Sequence, residues 1–309
     1  MAQRVATIDI GTNSVLLLIT EATPEGPRVL LERATITRLG EGVDNTRVLA
    51  PAARQRTLRC IQTYAEDIAR FGVAATAAVG TSALRDAVGG RDFTRELATV
   101  LGAEPQVIDG AREAALTFRG ALSGLSVAGP VSVFDVGGGS TEIVHGERTS
   151  TGSDVQSAVS LDIGSVRLFE RHVRSDPASA AELELARIDI ERALETAPRF
   201  ARAGVLVGVA GTVTTLASIA LELSDYEPAL VHGHVLERSK IEHLARTLGA
   251  LTLAERCSLR GLDPRRADVI VVGALIVERV MHLAQASELV VSDRGVRWGL
   301  AEELLARSG

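Results

Sequence analysis

Two short stretches of the sequence combine a carboxylate, glycines and a hydroxyl in the same spacing. Asp9 to Ser14 reads Asp-Ile-Gly-Thr-Asn-Ser, and Asp135 to Ser140 reads Asp-Val-Gly-Gly-Gly-Ser. Glycine lets a backbone approach a ligand closely, and successive backbone N–H groups can converge on an anion. A tight hairpin is the plain alternative, but it leaves Asp135 unexplained, since an unpaired carboxylate is costly to bury at the end of an apolar strand. The pattern therefore predicts phosphate binding assisted by a cation.

Arg85 lies one turn into a helix that is predicted after the strand 74–80. A guanidinium there could clamp a phosphate through two parallel hydrogen bonds. It could equally be a solvated side chain paired with Asp86 or Glu96. The spacing alone does not decide between these roles.

Two other turns lead from a predicted strand into a predicted helix. Glu113 follows a helix start that Asp109 is expected to cap, and the helix dipole alone accounts for a carboxylate in that first turn. Gly211 and Thr212 follow the apolar strand 205–210, and a helix N-terminus after a strand is a common place to hold an adenine or a phosphate. Taken singly, the spacing favours capping for Glu113 and gives only a weak phosphate signal at Gly211.

Two motifs are assigned no chemistry. A third Asp-x-Gly-Ser occupies 162–165 and predicts only a turn and a helix N-terminal cap. His232-Gly233-His234 has no third His, Cys or carboxylate at ligand spacing, so it predicts a loop and not a metal site.

The repeated Asp-x-Gly device predicts two related α/β halves that face each other across a cleft. The small, polar segment 123–129 is the predicted hinge, which divides the chain into an N-terminal domain over 1–125 and a C-terminal domain over 126–309. The terminal helix could pack back on the first domain. Each half would then offer a glycine loop and a carboxylate to the cleft.

Composition excludes several classes of protein. The 309 residues carry 33 basic and 39 acidic side chains, so a net charge of −6 gives no global attraction for duplex nucleic acid. The longest apolar run, 269–277, is too short to cross a bilayer, and Cys60 and Cys257 are expected to be reduced core residues. These features predict a cytoplasmic protein without a membrane partner.

Taken together, the motifs resemble those of the exopolyphosphatase and guanosine pentaphosphate phosphohydrolase (Ppx/GppA) family. The resemblance covers almost the whole chain and is carried by 9–14, Arg85, Glu113, 135–142 and 208–212. It implies an α/β fold of two actin-like, ribonuclease H-like domains facing each other across an active-site cleft. Longer family members carry additional C-terminal helical domains; this chain ends after the second actin-like domain, so an enclosed channel for long polymers is not expected.

The resemblance also implies roles for individual residues. Glu113 matches the catalytic glutamate that activates water, and Arg85 matches an arginine near the phosphates. Asp135 and Glu142, with Asp9 as a further candidate, match acidic positions that bind Mg²⁺ or Mn²⁺. The matched phosphate-binding positions are Gly11, Thr12, Asn13, Ser14, Gly137, Gly138, Gly139, Ser140, Thr141, Gly211 and Thr212.

The expected reaction is Mg²⁺-dependent hydrolysis of the terminal phosphoanhydride of inorganic polyphosphate, which releases orthophosphate. The alternative substrate is guanosine pentaphosphate (pppGpp), because it ends in the same phosphoanhydride. Less favoured alternatives are a kinase of the same fold and a non-catalytic sensor of polyphosphate or alarmone, which would not need Glu113. A homodimer is implied by the resemblance only.

Overall fold

The computed structural model describes residues 3–24, 26–149, 152–198 and 204–306. Contacts between Cα atoms divide the chain into two compact units: unit 1 consists of 1–120 and 296–309, and unit 2 of 121–295. The boundary predicted after residue 125 stays a prediction. No helix within the described ranges is long and apolar enough to cross a membrane.

Unit 1 is built on a five-stranded sheet. Its strands are β1 (Arg4–Ile10), β2 (Ser14–Thr23), β3 (Gly26–Ile36), β4 (Ala75–Gly80) and β5 (Gln106–Val107). They lie in the order β3-β2-β1-β4-β5, with β1 antiparallel to β2 and parallel to β4. The helices of its first part are α1 (Val43–Thr46), α2 (Pro51–Arg70), α3 (Ser82–Asp86), α4 (Gly90–Leu101) and α5 (Gly110–Ala121).

Unit 2 is built on a six-stranded sheet. Its strands are β6 (Gly129–Val136), β7 (Thr141–Thr149), β8 (Gly152–Leu161), β9 (Val205–Val209), β10 (Val235–Glu237) and β11 (Glu288–Val291), in the order β10-β11-β9-β6-β7-β8. Its helices are α6 (Ser165–His172), α7 (Ala180–Leu194), α8 (Ala210–Ala220), α9 (Pro228–Val231), α10 (Arg238–Ala250), α11 (Leu253–Cys257) and α12 (Ile270–Leu283). Helix α13 (Val296–Ala306) returns to unit 1, where Trp298 and Ala301 pack with Val5 and Leu18.

The two sheets repeat one pattern of strands. In unit 1 an antiparallel meander, β1 to β3, is extended by the parallel strands β4 and β5. In unit 2 the meander β6 to β8 is extended by the parallel strands β9 and β11. The repeat that the two Asp-x-Gly motifs predicted is therefore also present in the order of the strands.

Each unit has its own apolar core. In unit 1, alternate residues of β1 and β2, among them Ile8, Ile10 and Leu17, pack with Ile61 of α2 and Phe93 of α4. In unit 2 the apolar helix α12 lies at the centre of the core and is buried continuously over 270–277. Before it, Asp263 caps a short 3₁₀ turn over Pro264–Arg266, and α12 begins at Ile270.

Candidate active site

The two glycine motifs form the same four-residue hairpin in the two units. We name residues 11–14 loop 1 and residues 137–140 loop 2. Loop 1 joins the paired residues Ile10 and Val15, and loop 2 joins Val136 and Thr141. In each, the N–H of the first residue donates to the carbonyl of the fourth at 3.0 Å, Gly11 to Ser14 and Gly137 to Ser140. A Cβ on the first glycine would lie 3.0 Å from that carbonyl oxygen in loop 1 and 3.1 Å in loop 2, which is a tight contact at both positions.

The acidic residues beside the two loops differ. Asp135 stands directly opposite Glu142 across β6 and β7, whereas Asp9 stands opposite Leu16. Opposed residues of an antiparallel pair share one face of the sheet, so two carboxylates are neighbours in unit 2. Glu142 is 1% exposed, and its Oε1 accepts a hydrogen bond of 2.7 Å from Ser160 Oγ.

This pair of carboxylates fits a hard divalent cation. Mg²⁺ in phosphoryl-transfer sites is usually held by one or two carboxylates, with waters and substrate phosphates completing six oxygen ligands. No group of three or more His, Cys, Asp and Glu in the described part of the chain has the arrangement of a metal site. Asp135 and Glu142 therefore match the usual protein share of such a site, and the participation of Asp9 stays a prediction.

Arg85 and Glu113 form an ion pair in unit 1. Arg85 Nη1 lies 3.0 Å from Glu113 Oε2 and also donates to the carbonyl of Ile108 at 3.1 Å. Glu113 is 7% exposed, whereas a quarter of the Arg85 side chain is exposed and borders a cavity of about 420 Å³. Arg85 thus has Glu113 as its partner instead of Asp86 or Glu96, and the arginine remains reachable from solvent.

The helix start before Glu113 is built as predicted. Asp109 Oδ1 accepts from the N–H of Arg112 at 2.8 Å, which is the geometry of an N-terminal cap. Glu113 lies in the first turn of α5, where the partial positive charge of the helix terminus favours a carboxylate. The structure also buries this carboxylate against Arg85. The spacing of the residues did not predict that burial.

Unit 1 brings its predicted site residues to one edge of its sheet. Strands β1, β4 and β5 run parallel as neighbours, and loop 1, α3 and α5 each follow the carboxyl end of one of them. The N–H of Thr81 donates to the carbonyl of Ile10, and that of Ile108 to the carbonyl of Gly80. Ligands of open α/β sheets bind at this edge. In unit 2, loop 2 and Gly211 follow the neighbouring parallel strands β6 and β9 in the same way.

The hydroxyl groups of two threonines next to loop 2 donate hydrogen bonds within the protein. Thr141 is fully buried and donates to the carbonyl of Ile163 at 2.7 Å, and Thr212 donates to the carbonyl of Val136 at 3.1 Å. Their hydroxyl protons therefore hold the backbone on each side of the loop. In loop 1, by contrast, the buried Oδ1 of Asn13 has no hydrogen-bond partner among the described residues.

One contact to loop 2 was not predicted by the sequence analysis. The turn over 162–165 is more than a cap, because the first turn of α6 donates hydrogen bonds to the carbonyls of loop 2, and the buried side chain of Arg167 does so as well. The available signal was the third repetition of Asp-x-Gly-Ser, followed two residues later by an arginine. A spacing pattern does not show which backbone a helix start will meet.

Residues 18–308 match the sequence model that describes the Ppx/GppA phosphatase family. This chain belongs to that family. Exopolyphosphatase 2 of Mycobacterium tuberculosis is 39% identical over 97% of this chain and 98% of the relative. The Vibrio atlanticus guanosine-5'-triphosphate,3'-diphosphate pyrophosphatase is 29% identical over 97% of this chain, which matches 59% of that longer protein.

The fold comparison agrees with the sequence comparison. A crystal structure of the Ppx/GppA family member from Aquifex aeolicus matches this chain with a TM-score of 0.84 and 32% identity, over the whole of both chains. The predicted fold class, α/β with two actin-like domains, is confirmed, and so is the predicted family. The protein is a phosphatase of the kind that hydrolyses phosphoanhydrides, and such phosphoryl-transfer enzymes generally need a divalent metal ion.

Proposed function

We propose that this protein is an exopolyphosphatase that hydrolyses the terminal phosphoanhydride of inorganic polyphosphate and releases orthophosphate. The observation that carries the proposal is the buried Glu113 held by Arg85 at the same sheet edge as loop 1. A carboxylate placed beside an anion-binding loop can activate water there. The similarity to Exopolyphosphatase 2 over nearly the whole of both chains supports polyphosphate as the substrate.

Each of the two loops binds phosphate oxygens of the substrate in this proposal. Their backbone N–H groups and the hydroxyls of Ser14 and Ser140 donate to these oxygens. Because the protein has a net charge of −6, this local set of donors and Arg85 must supply the attraction for a polyanion. Asp135 and Glu142, with Asp9 as a possible third ligand, would hold Mg²⁺ or Mn²⁺, which offsets negative charge on the transferring group and on the leaving phosphate.

Glu113 acts as the general base. It accepts a proton from the water that attacks the terminal phosphorus in line with the bridging oxygen, and the phosphorus–oxygen bond to the rest of the chain breaks. Orthophosphate and a chain shorter by one phosphate leave the enzyme. Arg85, which already donates to Glu113, orients the carboxylate and lies ready to donate to the phosphoryl oxygens as charge spreads over them.

The alternative substrate is pppGpp, which is favoured by the similarity to the Vibrio atlanticus pyrophosphatase. The deciding experiment measures orthophosphate release with Mg²⁺ from short polyphosphate, long polyphosphate and pppGpp in parallel. We expect the highest kcat/KM with one of the polymers. A higher kcat/KM with pppGpp would indicate that the protein acts in alarmone turnover. Absence of orthophosphate release from all three substrates would refute the proposal that the protein is a hydrolase.

The role of Glu113 has a matched control in the same unit. Glu303 is also a largely buried carboxylate with an arginine partner, Arg112, on the same helix as Glu113. We expect Glu113→Gln to lower kcat by about 10²–10⁴-fold, the usual contribution of a general base, while KM stays within about threefold. Glu303→Gln should keep wild-type kcat.

The measurement is steady-state orthophosphate release, with Tm recorded for each variant. Equal loss of kcat in both variants would mean that the effect comes from a disturbed unit 1 and not from a missing base. Wild-type turnover by Glu113→Gln would remove Glu113 from the mechanism.

A further inference from the structure

Helix α6 begins against the carbonyl side of loop 2. The N–H of Ser165 donates to the carbonyl of Gly137 at 3.0 Å, and those of Val166 and Arg167 donate to the carbonyl of Gly138 at 2.9 and 3.0 Å. No side chain caps this helix. The first N–H groups of a helix have no partners within it, so the carbonyls of loop 2 satisfy donors that a capping side chain satisfies elsewhere.

Arg167 completes this set of contacts. Its Nε donates to the carbonyl of Gly139 at 2.6 Å, and the residue is only 6% exposed. All three glycine carbonyls of loop 2 therefore accept hydrogen bonds from the start of α6. A hydrogen bond from a charged donor is about twice as strong as a neutral one, so Arg167 is the strongest single contact in the set.

The direction of these carbonyls sets the direction of the amides. The peptide bonds of loop 2 are trans, and in a trans peptide the N–H points away from the preceding carbonyl. Carbonyls of residues 137–139 that point at α6 turn the N–H groups of Gly138, Gly139 and Ser140 to the opposite side. Three successive N–H groups on one side form the kind of concavity that binds an anion.

Gly164 makes this close approach possible. A Cβ at this position would lie 2.4 Å from the carbonyl oxygen of Gly138 and 2.6 Å from the carbonyl carbon of Gly139. Its φ of −148° is ordinary extended backbone, so the position needs glycine for space and not for conformation. The sequence places glycine and arginine three residues apart, and both serve the same contact.

We propose that Arg167 is a positioning residue for phosphoanhydride hydrolysis, and that it acts by orienting the N–H groups of loop 2. The inference rests on the proposed function, because it assumes that loop 2 binds phosphate oxygens of the substrate. Arg167 itself lies on the side of loop 2 away from these N–H groups and does not touch substrate. Replacing Arg167 should therefore change kcat more than KM, because kcat depends on how the donors are oriented towards the transition state.

A second buried arginine in unit 2 provides a matched control. Arg256 is 3% exposed, and its Nε donates to the carbonyl of Ala267 at 2.6 Å, the same distance as the Arg167 bond. It also donates to the carbonyls of Leu248, in the last turn of α10, and of Leu251, which follows that helix, and neither belongs to loop 2. Arg256→Met therefore reproduces the loss of a buried, charge-assisted hydrogen bond without touching the loop.

The test compares Arg167→Met, Arg167→Lys and Arg256→Met with the wild type in orthophosphate release. We expect Arg167→Met to lower kcat by about 10–100-fold, with KM within about threefold, and Arg167→Lys to recover part of the loss through its retained charge. Arg256→Met should lower Tm but keep kcat. Equal kcat for Arg167→Met and the wild type, or an equal loss in Arg256→Met, overturns the proposal.

A variant that does not fold and a failure of the proposed function can be distinguished from each other. If Arg167→Met does not fold, the test uses Arg167→Lys alone. A wild-type kcat in the folded Arg167→Lys variant would then contradict the positioning role of Arg167. If the wild type itself releases no orthophosphate from polyphosphate or pppGpp, the proposed function fails. Calorimetric binding of tripolyphosphate then tests the orientation of loop 2 directly. Weaker binding in Arg167→Lys than in Arg256→Met supports it, and equal binding overturns it.

Discussion

Loop 1 and loop 2 close with the same hydrogen bond, but their carbonyls are bound by different parts of the protein. In loop 1 the carbonyl of Asn13 accepts from the N–H groups of Thr37 and Arg38, and that of Thr12 accepts from the N–H of Gly40. In loop 2 the corresponding donors are the first turn of a helix and a buried guanidinium. In both loops, therefore, backbone carbonyls accept hydrogen bonds from another segment, although different structures supply the donors.

The segments that hold the two loops differ in secondary structure. The segment that holds loop 1 is irregular, and Arg38 has a positive φ of 50°, which is uncommon for a residue with a side chain. The element that holds loop 2 is the start of the regular helix α6, whose first N–H groups donate to the loop. Loop 2 also has the pair of carboxylates, whereas loop 1 has one carboxylate opposite a leucine. Unit 2 thus combines a helical support for its loop with two opposed carboxylates.

Among the differences between the two loops, the second carboxylate beside loop 2 is expected to have the largest effect on activity. Glu142→Gln keeps the shape of the side chain and an acceptor for Ser160, but it removes one negative charge opposite Asp135. We expect kcat/KM to fall by about 10²–10³-fold and the Mg²⁺ concentration for half-maximal activity to rise, since a bound metal contributes several kcal/mol to phosphoryl transfer. Mg²⁺ titrations of orthophosphate release measure both quantities.

Asp9→Asn belongs in the same titration, because it is the corresponding carboxylate beside loop 1. A smaller rise in the Mg²⁺ requirement than that of Glu142→Gln is expected if the metal belongs to unit 2. Equal rises in the two variants would break the comparison and make Asp9 a full metal ligand.

The next prediction compares two glycines that lie against the loops, Gly164 beside loop 2 and Gly40 beside loop 1. A Cβ on Gly164 would meet the backbone of Gly138 at 2.4 Å, whereas a Cβ on Gly40 would meet Thr12 Cγ2 at 2.3 Å. Backbone atoms cannot move aside without displacing loop 2, but a threonine side chain can change rotamer. Gly164→Ala should therefore lower kcat by about 10²-fold, as a misplacement near 1 Å does, and Gly40→Ala by less than about tenfold.

Steady-state rates of the two alanine variants, each normalised to the folded fraction, provide this test. The reverse order of the two effects would show that loop 1 is the less tolerant of the two phosphate loops.

The smallest effect concerns an ordinary helix start in unit 2. Helix α7 has a capping box in which Ser179 and Glu182 bind each other's backbone N–H groups, whereas α6 relies on loop 2. Hydrogen bonds from Ser175 and then Ser179 lower the pKa of Glu182 from 4.5 to about 2. Glu182→Gln should lower Tm by about 1–3 °C at pH 7 and leave kcat unchanged.

The pH dependence follows from the lowered pKa. The stabilisation by Glu182 is present above pH 4.5 and is lost as the pH falls towards 2, because the folded protein then loses the carboxylate that accepts these bonds. The difference in Tm between wild type and Glu182→Gln should therefore shrink between pH 4.5 and pH 3. A constant difference over this range would argue against the lowered pKa.

Local patterns were enough to predict much of the site. The strand before each Asp-x-Gly motif and the cap at Asp109 were predicted from residues close in sequence, since helix starts depend on their own polar side chains. A tight hairpin was considered only as the alternative to phosphate binding, and both motifs form one. The resemblance to a family then assigned chemistry to Glu113 that capping alone did not require. The roles of the individual residues stay predictions until variants are measured.

Contacts between distant residues could not be predicted in this way. Spacing left the partner of Arg85 open, and it is Glu113, 28 residues away, because α3 and α5 follow neighbouring strands. The turn over 162–165 looked like a simple cap, yet it lies against loop 2 because β8 returns the chain to β7, beside Thr141. In both cases the order of strands in the sheet decided the contact.

The sequence by itself determined which groups this protein has for phosphate chemistry and the local turns that present them, because hairpins, caps and apolar strands are encoded over a few residues. Only the tertiary structure decided what holds those groups in place: an arginine against Glu113, and the start of α6 with Arg167 against the carbonyls of loop 2. The physical reason is that a hydrogen bond to a loop carbonyl depends on where two distant segments of backbone meet, and that meeting is fixed by packing of the whole unit.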